Sequence, residues 1–373
     1  MEYISCFSGI GGLEGYSQPI ALCEIDKACQ SILKKRYPQS LIHSDINTFP
    51  DISADILVGG WPCQDLSIAG KQKGLSGENS GLFYSFVKVA IQSSVQTIIA
   101  ENVLNLIRLE NGNVFKEVLR EFTSQGYNYC AWRVLNVRQF GLPHHRNRVF
   151  MIASKYKRHC DSLFRELPKS KEPSQQDIAY GFYWTAGTQS INYSKGYVPT
   201  IKVGSSLSIP SPPAIHYEDI VRQLTPDEAL SLQGFNPKHF EGLNKSTIYK
   251  MAGNAVAVPV GKFVVDGVLN DKENKNIEYF SKQSSLKLYD EVDNFDFPGG
   301  IPSNGCFDGE MKEVIVPKPS NLAINLREFL DLGISARLSQ KAATGLLRRL
   351  KRSGQVCPSS LKRKLEEIRG DSA

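Results

Sequence analysis

A branched apolar run ends in two glycines and passes straight into tryptophan, proline and cysteine: "LVGGWPCQDLS", residues 57–67. A thiol placed directly after a proline, where a strand stops and the chain must turn, has two readings. One is a buried structural cysteine. The other is a nucleophile held in a loop, which must sit where the site favours the thiolate, because a free thiol is only a few per cent ionised at neutral pH. A second stretch, "FSGIGGLEGY" at 7–16, follows the first apolar run. Glycines there let the backbone approach a nucleotide-like ligand closely, although a glycine-rich turn by itself only makes a turn. Glu24 stands where a carboxylate can accept from ribose hydroxyls, and Asp45 where one can accept from an adenine amine. Each alone reads as a cap or a surface carboxylate. Together, beside the glycine turn, they point to an adenosine-containing cofactor. Diphosphate binders show glycines opening a helix whose amides face the phosphates. Here Gly9, Gly11 and Gly12 are followed by Glu14, and a negative side chain suits a positive sulfonium better. Arg146 and Arg148 alternate on an expected strand and so would share a face; by themselves they read as a solvated face.

These residues need a frame. "YISCFSG", "PIALCEID", "LIHSDI", "DILVGG", "TIIAENV", "YCAWRVLNV" and "RVFMIAS" read as strands. "CQSILKKRYP", "FYSFVKVAIQS" and "VFKEVLREFTSQGY" read as helices, the last with Val114, Phe115, Val118, Leu119 and Phe122 at helical spacing and Gly126 as its stop. Strand and helix in alternation predict an α/β fold with a parallel sheet and helices on both faces. From about residue 155 to 221 the chain turns rich in Ser, Pro, Tyr, Lys and Gly, as in an irregular inserted domain. Order returns at "LTPDEALSLQGF" and at "STIYKMAGNAVAVPVGKFVVDGVL", which contains a long apolar helix. After residue 271 the sequence is polar and loop-rich until "NLREFLDLGI", and it ends in two basic amphipathic helices.

The 373 residues, 41% hydrophobic, suffice for two domains. No run of about 20 apolar residues is present, so no membrane span is expected, and no secretory signal opens the chain. A cytoplasmic protein is expected. Eight cysteines without a Cys-x-x-Cys pair or histidines at zinc spacing argue against a disulfide framework and against a metal site. A net charge of +6 permits a polyanionic partner without demanding one.

In order along the chain, "FSGIGG", Glu24, "SDI", "GGWPCQDLS", "GLF", "ENV", "GLPHHRNRVFMIA", "RQLTPDEALSLQGF" and "GNAVAVPV" resemble the motifs of the bacterial DNA (cytosine-5-)-methyltransferases of restriction–modification systems. They span residues 5 to about 265. The resemblance implies an S-adenosylmethionine-dependent methyltransferase (Rossmann-like) domain at 1–154, completed by a helix at about 248–270. It also implies a smaller irregular target-recognition domain at 155–247, with 271–373 as polar linker and basic helical extension. The implied reaction methylates carbon 5 of a cytosine flipped out of duplex DNA, through a covalent cysteine adduct.

By the same resemblance Cys63 is the nucleophile, Glu101 contacts cytosine nitrogen 3 and its exocyclic amine, Arg148 holds the carbonyl oxygen, and Arg146 is its partner and brace. Glu101 follows the apolar "TIIA", so partial burial is expected to raise its pKa. Phe7, Gly9, Ile10, Gly11, Gly12, Glu24, Ile25, Asp45, Ile46, Pro62, Leu82, Asn254 and Val256 are the implied cofactor residues. Gln64, Ser67, Thr200 and Ile201 are the implied DNA contacts. Trp61, Asp65, Asn79 and His144 depart from the family's usual residues, and none of these removes a catalytic group.

Double-stranded DNA is the expected partner of a monomeric chain, and a cognate endonuclease would share its site without binding it. A tRNA methyltransferase on the same scaffold would carry a Cys-Phe-Thr element and lack a long recognition domain. An inactive DNA-binding regulator would have a broken centre. A nicotinamide-dependent oxidoreductase would explain the glycine turn alone. In the tail, Leu338, Ala342, Leu346 and Leu350 predict one apolar face and a basic remainder, either packed as an appendage on the catalytic domain or contacting phosphates.

Overall fold

The computed structural model describes residues 1–62, 81–168, 178–184, 191–203, 212–271, 278–280, 301–309, 311–316, 325–334, 338–354 and 356–370. Cys63, Gln64, Asp65, Ser67 and Asn79 lie outside the described residues. The elements are, first, β1 (Tyr3–Cys6), β2 (Ala21–Cys23), α1 (Lys27–Arg36), β3 (Leu41–His43), β4 (Ile56–Gly59), α2 (Gly81–Gln92), β5 (Thr97–Val103), α3 (Asn113–Ser124), β6 (Tyr129–Asn136), β7 (Asn147–Ser154) and α4 (Lys157–Asp161). Then come β8 (Tyr180–Phe182), β9 (Ser194–Lys195), β10 (Ala214–Tyr217), β11 (Ile220–Gln223), α5 (Pro226–Ser231), α6 (Lys245–Asn254) and α7 (Val258–Leu269). Last are β12 (Glu278–Phe280), β13 (Asn304–Phe307), β14 (Met311–Ile315), α8 (Gln340–Ser353) and α9 (Ser359–Arg369).

The chain forms two compact units. The first contains Met1–Leu135, Asn147–Leu167 and Val258–Lys318; the second contains Asn136–Arg146, Pro168–Ala257 and Pro319–Ala373. The first is built on a ten-stranded sheet of order β12-β14-β13-β6-β7-β5-β4-β1-β2-β3. β3, β2, β1, β4 and β5 run parallel, and β7 joins β5 antiparallel with Glu101 opposite Phe150 and Val103 opposite Arg148. The parallel strands are short and apolar because both faces are covered. Phe83, Phe86, Val114, Phe115, Val118 and Phe122 of α2 and α3 pack into one core with Ile4, Leu57 and Ile98 of the sheet. α1 starts where the Asp26 side chain accepts from the amides of Ala28 and Cys29, and its last turn carries Lys34, Lys35 and Arg36, the sign that a helix C-terminus favours.

The second unit has an antiparallel sheet of order β11-β10-β8-β9. Phe182, Ile191, Ala214 and Val221 of this unit share a core with Leu338, two residues before α8, and with Ala342, Ala343, Leu346, Leu350, Leu361 and Leu365 of α8 and α9. α5 opens with a reciprocal cap: the Glu228 amide donates to the Thr225 hydroxyl at 3.1 Å, and the Thr225 amide to Glu228 Oε2 at 2.8 Å.

Four features differ from the sequence reading. Residues 155–167 belong to the first unit and 319–373 to the second, so neither expected boundary coincides with a unit boundary. The polar stretch after 271 supplies β12, β13 and β14 to the large sheet, with β13 antiparallel to β6. At three to five residues each, these strands are too short to show a period of two. The expected long apolar helix is two, α6 and α7, separated at Ala255–Ala257, where Pro259 lacks the N–H to continue a helix. The residues after the glycine turn form turns rather than a helix. Among the described residues no single helix is long and apolar enough to cross a membrane.

Candidate active site

The glycine turn is held from below. Phe7 adopts φ 56°, a conformation that costs a non-glycine residue about 1–2 kcal/mol and persists only where its surroundings enforce it. The Ser8 amide donates to Cys23 O at 3.1 Å and the Gly11 amide to Ser8 O at 2.8 Å. The Tyr37 hydroxyl donates to the carbonyls of Gly11 and Gly15, both at 2.9 Å, and Arg36 donates to those of Ile10 and Gly15. Gly11 has φ +82°, and a Cβ there would lie 2.5 Å from the Tyr37 ring. α7 reaches the same turn through Gly261, whose Cβ would fall 2.3 Å from Gly12 O. Ile10, Gly11 and Gly12 are buried, whereas Phe7 and Gly9 are half-exposed.

Glu24 closes this turn. Its Oε2 accepts from the Gly9 amide and its Oε1 from the Asp26 amide, each at 2.8 Å. Burial raises its pKa, and those two amides oppose the shift. Next to it Ile25 is 76% exposed, a large apolar side chain left facing water. Among the described residues nothing lies within 4 Å of where a Cβ on Gly9 would stand. Asp45 caps the 3-10 turn Ile46–Thr48, accepting from the Asn47 amide at 2.9 Å, while Ile46 is buried, and Pro62 and Leu82 are half-buried.

Glu14 departs from the sequence reading. It does not present a negative charge to a ligand. It is fully buried beneath the turn, where its Oε1 accepts from the Ser5 hydroxyl, and burial raises its pKa.

The second cluster lies at the end of β5. Arg148 Nε is 3.0 Å from Glu101 Oε1, and their side chains are 18% and 13% exposed. Val103 faces Arg148 across the ladder, and Glu101 sits two residues before Val103 on the same face, which explains the diagonal pairing. The sequence reading had considered the burial of Glu101 alone; the structure sets a guanidinium directly beside its carboxylate. Gly60 packs on Glu101: a Cβ there would lie 2.8 Å from Oε2 and 3.1 Å from the backbone oxygen.

Asn102, unremarked in the sequence beyond its place in "ENV", ties β5 to the segment that leads to Cys63. Its Nδ2 donates to Trp61 O at 3.3 Å, and its Oδ1 accepts from the Val103 amide at 2.8 Å. Trp61 is itself buried against Phe83, with ring centroids 4.9 Å apart. The buried thiols of Cys130 and Cys306, pushed up to about 12 by desolvation, show what the structural alternative for a cysteine looks like in this chain.

Arg146 does not share a strand face with Arg148, because β7 begins at Asn147. It belongs to the second unit and is 1% exposed. Its Nη2 donates to Gly253 O at 3.0 Å and Ala255 O at 2.9 Å, and its Nη1 to Ile201 O at 3.2 Å. It is a brace for the end of α6, where Asn254 is exposed and Val256 half-buried.

The Thr200–Ile201 pair is held in the same way. The Ile201 amide donates to His144 Nε2 at 3.0 Å, and the Thr200 hydroxyl to His145 O at 2.7 Å. Ile201 is fully buried, so in this structure it supports the unit instead of offering a surface to DNA. Sequence reasoning also passed over Arg222 and Gln233. Arg222, 1% exposed, binds Glu228 through two hydrogen bonds of 2.8 and 2.7 Å, and Gln233 Nε2 donates to Ala252 O at 2.7 Å.

A sheet whose parallel strands carry a glycine turn after β1 and acids after β2 and β3 is that of the S-adenosylmethionine-dependent methyltransferases. A family model described as C-5 cytosine-specific DNA methylase matches residues 1–202 and 171–270, and the chain belongs to that family. The Type II methyltransferase M2.BsuMI of Bacillus subtilis (strain 168) is 35% identical over 299 residues, 73% of this chain and 76% of that protein. The Type II methyltransferase M.Bsp6I of a Bacillus species (strain RFL6) is 27% identical over 313 residues, 72% of this chain and 98% of that protein. A solved Entamoeba histolytica methyltransferase, EhMeth, covers 74% of this chain and 99% of its own at 16% identity, with a TM-score of 0.49. The chain is a DNA (cytosine-5-)-methyltransferase, and the methyl donor of its family is S-adenosylmethionine.

Proposed function

We propose that this enzyme methylates carbon 5 of a cytosine rotated out of a specific duplex sequence, through a covalent adduct of Cys63, and that it protects host DNA from a cognate restriction endonuclease. It acts as a monomer in the cytosol. The observation that carries the reading is the Glu101–Arg148 pair, 3.0 Å apart, on a strand whose next residue, Asn102, anchors Trp61 O two positions before Cys63.

Cytosine carbon 6 is a poor electrophile. The Cys63 thiolate adds to it, forming an S–C6 bond and pushing the ring electrons toward nitrogen 3, which takes a proton from the Glu101 carboxyl. Arg148 donates to the carbonyl oxygen. Carbon 5 is then nucleophilic; after methylation nitrogen 3 returns its proton to Glu101, and loss of the carbon-5 proton to solvent water restores the 5,6 double bond and expels Cys63 as thiolate, breaking the S–C6 bond. The bound cofactor supplies an electrophilic methyl group on a sulfonium. The residues present fit it: an open cradle at Gly9, an acid at Glu24 fixed by two amides, and the exposed Ile25 beside it. Rotating the base out costs a few kcal/mol, recovered in the pocket.

Cys63→Ser should abolish transfer of tritiated methyl while cofactor binding survives, since a hydroxyl is a far weaker nucleophile. A duplex with 5-fluorocytosine at the target should trap a covalent complex with the wild type and none with the variant. Methyl transfer by the serine variant near the wild-type rate would overturn the mechanism.

A further inference from the structure

We infer that the outward face of α8 binds the phosphate backbone of duplex DNA outside the sequence being read, an inference that rests on the proposed DNA-methylating function. Three observations carry it. The first is where the charge lies. The second unit holds 21 Lys and Arg against 12 Asp and Glu, whereas the first holds 23 against 26. The excess of base belongs to the second unit, and the field of that unit draws a polyanion.

The second is the arrangement on α8. Its apolar side, Ala343, Leu346 and Leu350, is buried in the core of the second unit, so the opposite side is fixed outward. On that side Lys341, Arg348 and Arg352 are exposed. They stand at i, i+7 and i+11, a single line along a helix of 3.6 residues per turn. Lys351 is exposed beside them. α8 contains no acid, and among the described residues none of these four cations is paired with a carboxylate. α9 differs: Lys364 pairs with Glu367 at 2.9 Å, and Glu366 lies on its outer side with Lys362 and Arg363.

The third is Gly345, at i+4 on the same line. Glycine inside a helix is disfavoured, and packing usually excuses it. Here, among the described residues, a Cβ would meet nothing within 4 Å, so none of them demands its absence. A bare backbone between Lys341 and Arg348 lets a partner's backbone come close, and a row of phosphates flanked by two cations is a partner of that shape and sign. Phosphate contacts add affinity without sequence information.

The test uses the full chain and measures affinity by fluorescence anisotropy on a cognate and an unrelated duplex across a salt series. Lys341→Gln/Arg348→Gln/Arg352→Gln should lower the slope of log affinity against log salt by about 2 to 3, near 0.9 per lost phosphate contact. It should weaken both duplexes on the order of tenfold at moderate salt, and leave the methylated sequence unchanged. Lys34→Gln/Lys35→Gln on α1, exposed cations of the first unit, should leave the slope as it is. Gly345→Gln should weaken binding several-fold with no charge removed, and Gly345→Ala should raise the melting temperature. A triple variant with the wild-type slope overturns the inference, as does an equal loss in the α1 control. Failure of the wild type to methylate any duplex would instead overturn the underlying function, a separate readout.

Discussion

Gly60→Ala isolates the positioning of Glu101 from its chemistry. Gly60 is not among the positive-φ glycines, so alanine is allowed by the backbone and the effect is steric. The new methyl would stand 2.8 Å from Glu101 Oε2 and 3.1 Å from its carbonyl oxygen. Ordinary contact begins at 3.4 Å, so the carboxylate must move by at least about 0.6 Å. The carbonyl belongs to a strand paired on both sides and yields little. A misplacement near 1 Å at reacting groups costs about 10²-fold, so the single-turnover methylation rate should fall by about ten- to a hundredfold. Overpacking of this kind lowers stability by about 1–3 kcal/mol, which leaves a folded protein to assay. Cofactor affinity should stay near wild type, because the glycine turn lies after β1 and not at the end of β5. The assay is rapid-quench transfer of tritiated methyl to saturating DNA, with thermal unfolding and cofactor titration alongside. A wild-type single-turnover rate would refute the claim that Gly60 is there to seat Glu101.

The remaining predictions concern the two units. Glu228→Ala leaves the buried guanidinium of Arg222 without its carboxylate, and should cost about 3–5 kcal/mol in denaturant unfolding; a loss under 1 kcal/mol would show that other partners suffice. Deleting residues 338–373 removes five buried leucines from the core of the second unit. At about 1.5–3 kcal/mol each this approaches the stability of a whole domain, so the truncated chain should lose cooperative unfolding of that unit, and a sharp, unshifted transition would count against it. For Glu14→Gln the sign follows from burial, which raises the folded pKa. The wild type therefore loses stability as pH rises above the unfolded value of about 4.3, and the loss levels off above the folded one. The substituted amide carries no titrating proton and can still accept from Ser5. The variant's advantage should grow with pH through that window, and a stability difference independent of pH from 4 to 8 would show that Glu14 does not titrate abnormally.

The sequence by itself determined the family and half of the frame. The strands that lead to Phe7 and Glu24 and the strand that carries Glu101 were legible as short continuous apolar runs, and the helices α2 and α3 because their apolar residues repeat at a period of 3.6, a local pattern that decides which face is buried. The motif order settled the family. What the period could not show was decided by long-range packing. β13 and β14 are four and five residues long, too short to show a period, and become strands because β6 offers an open edge for pairing. Glu14 reads as a charge for a ligand until the fold buries it as a prop under the turn, where burial raises its pKa. Arg146 and Arg148 stand two residues apart, yet one braces carbonyls of the second unit and the other meets Glu101. An arginine's role is set by which carbonyls or carboxylates the fold brings within hydrogen-bonding reach, and the partners that distinguish these two, Glu101 for Arg148 and Ile201, Gly253 and Ala255 for Arg146, are 47 to 109 residues away in the chain. The tail's basic helices are likewise periodic in sequence, but only the tertiary structure decided that their leucines complete the core of the second unit, because an apolar face states that it will be buried and not against what.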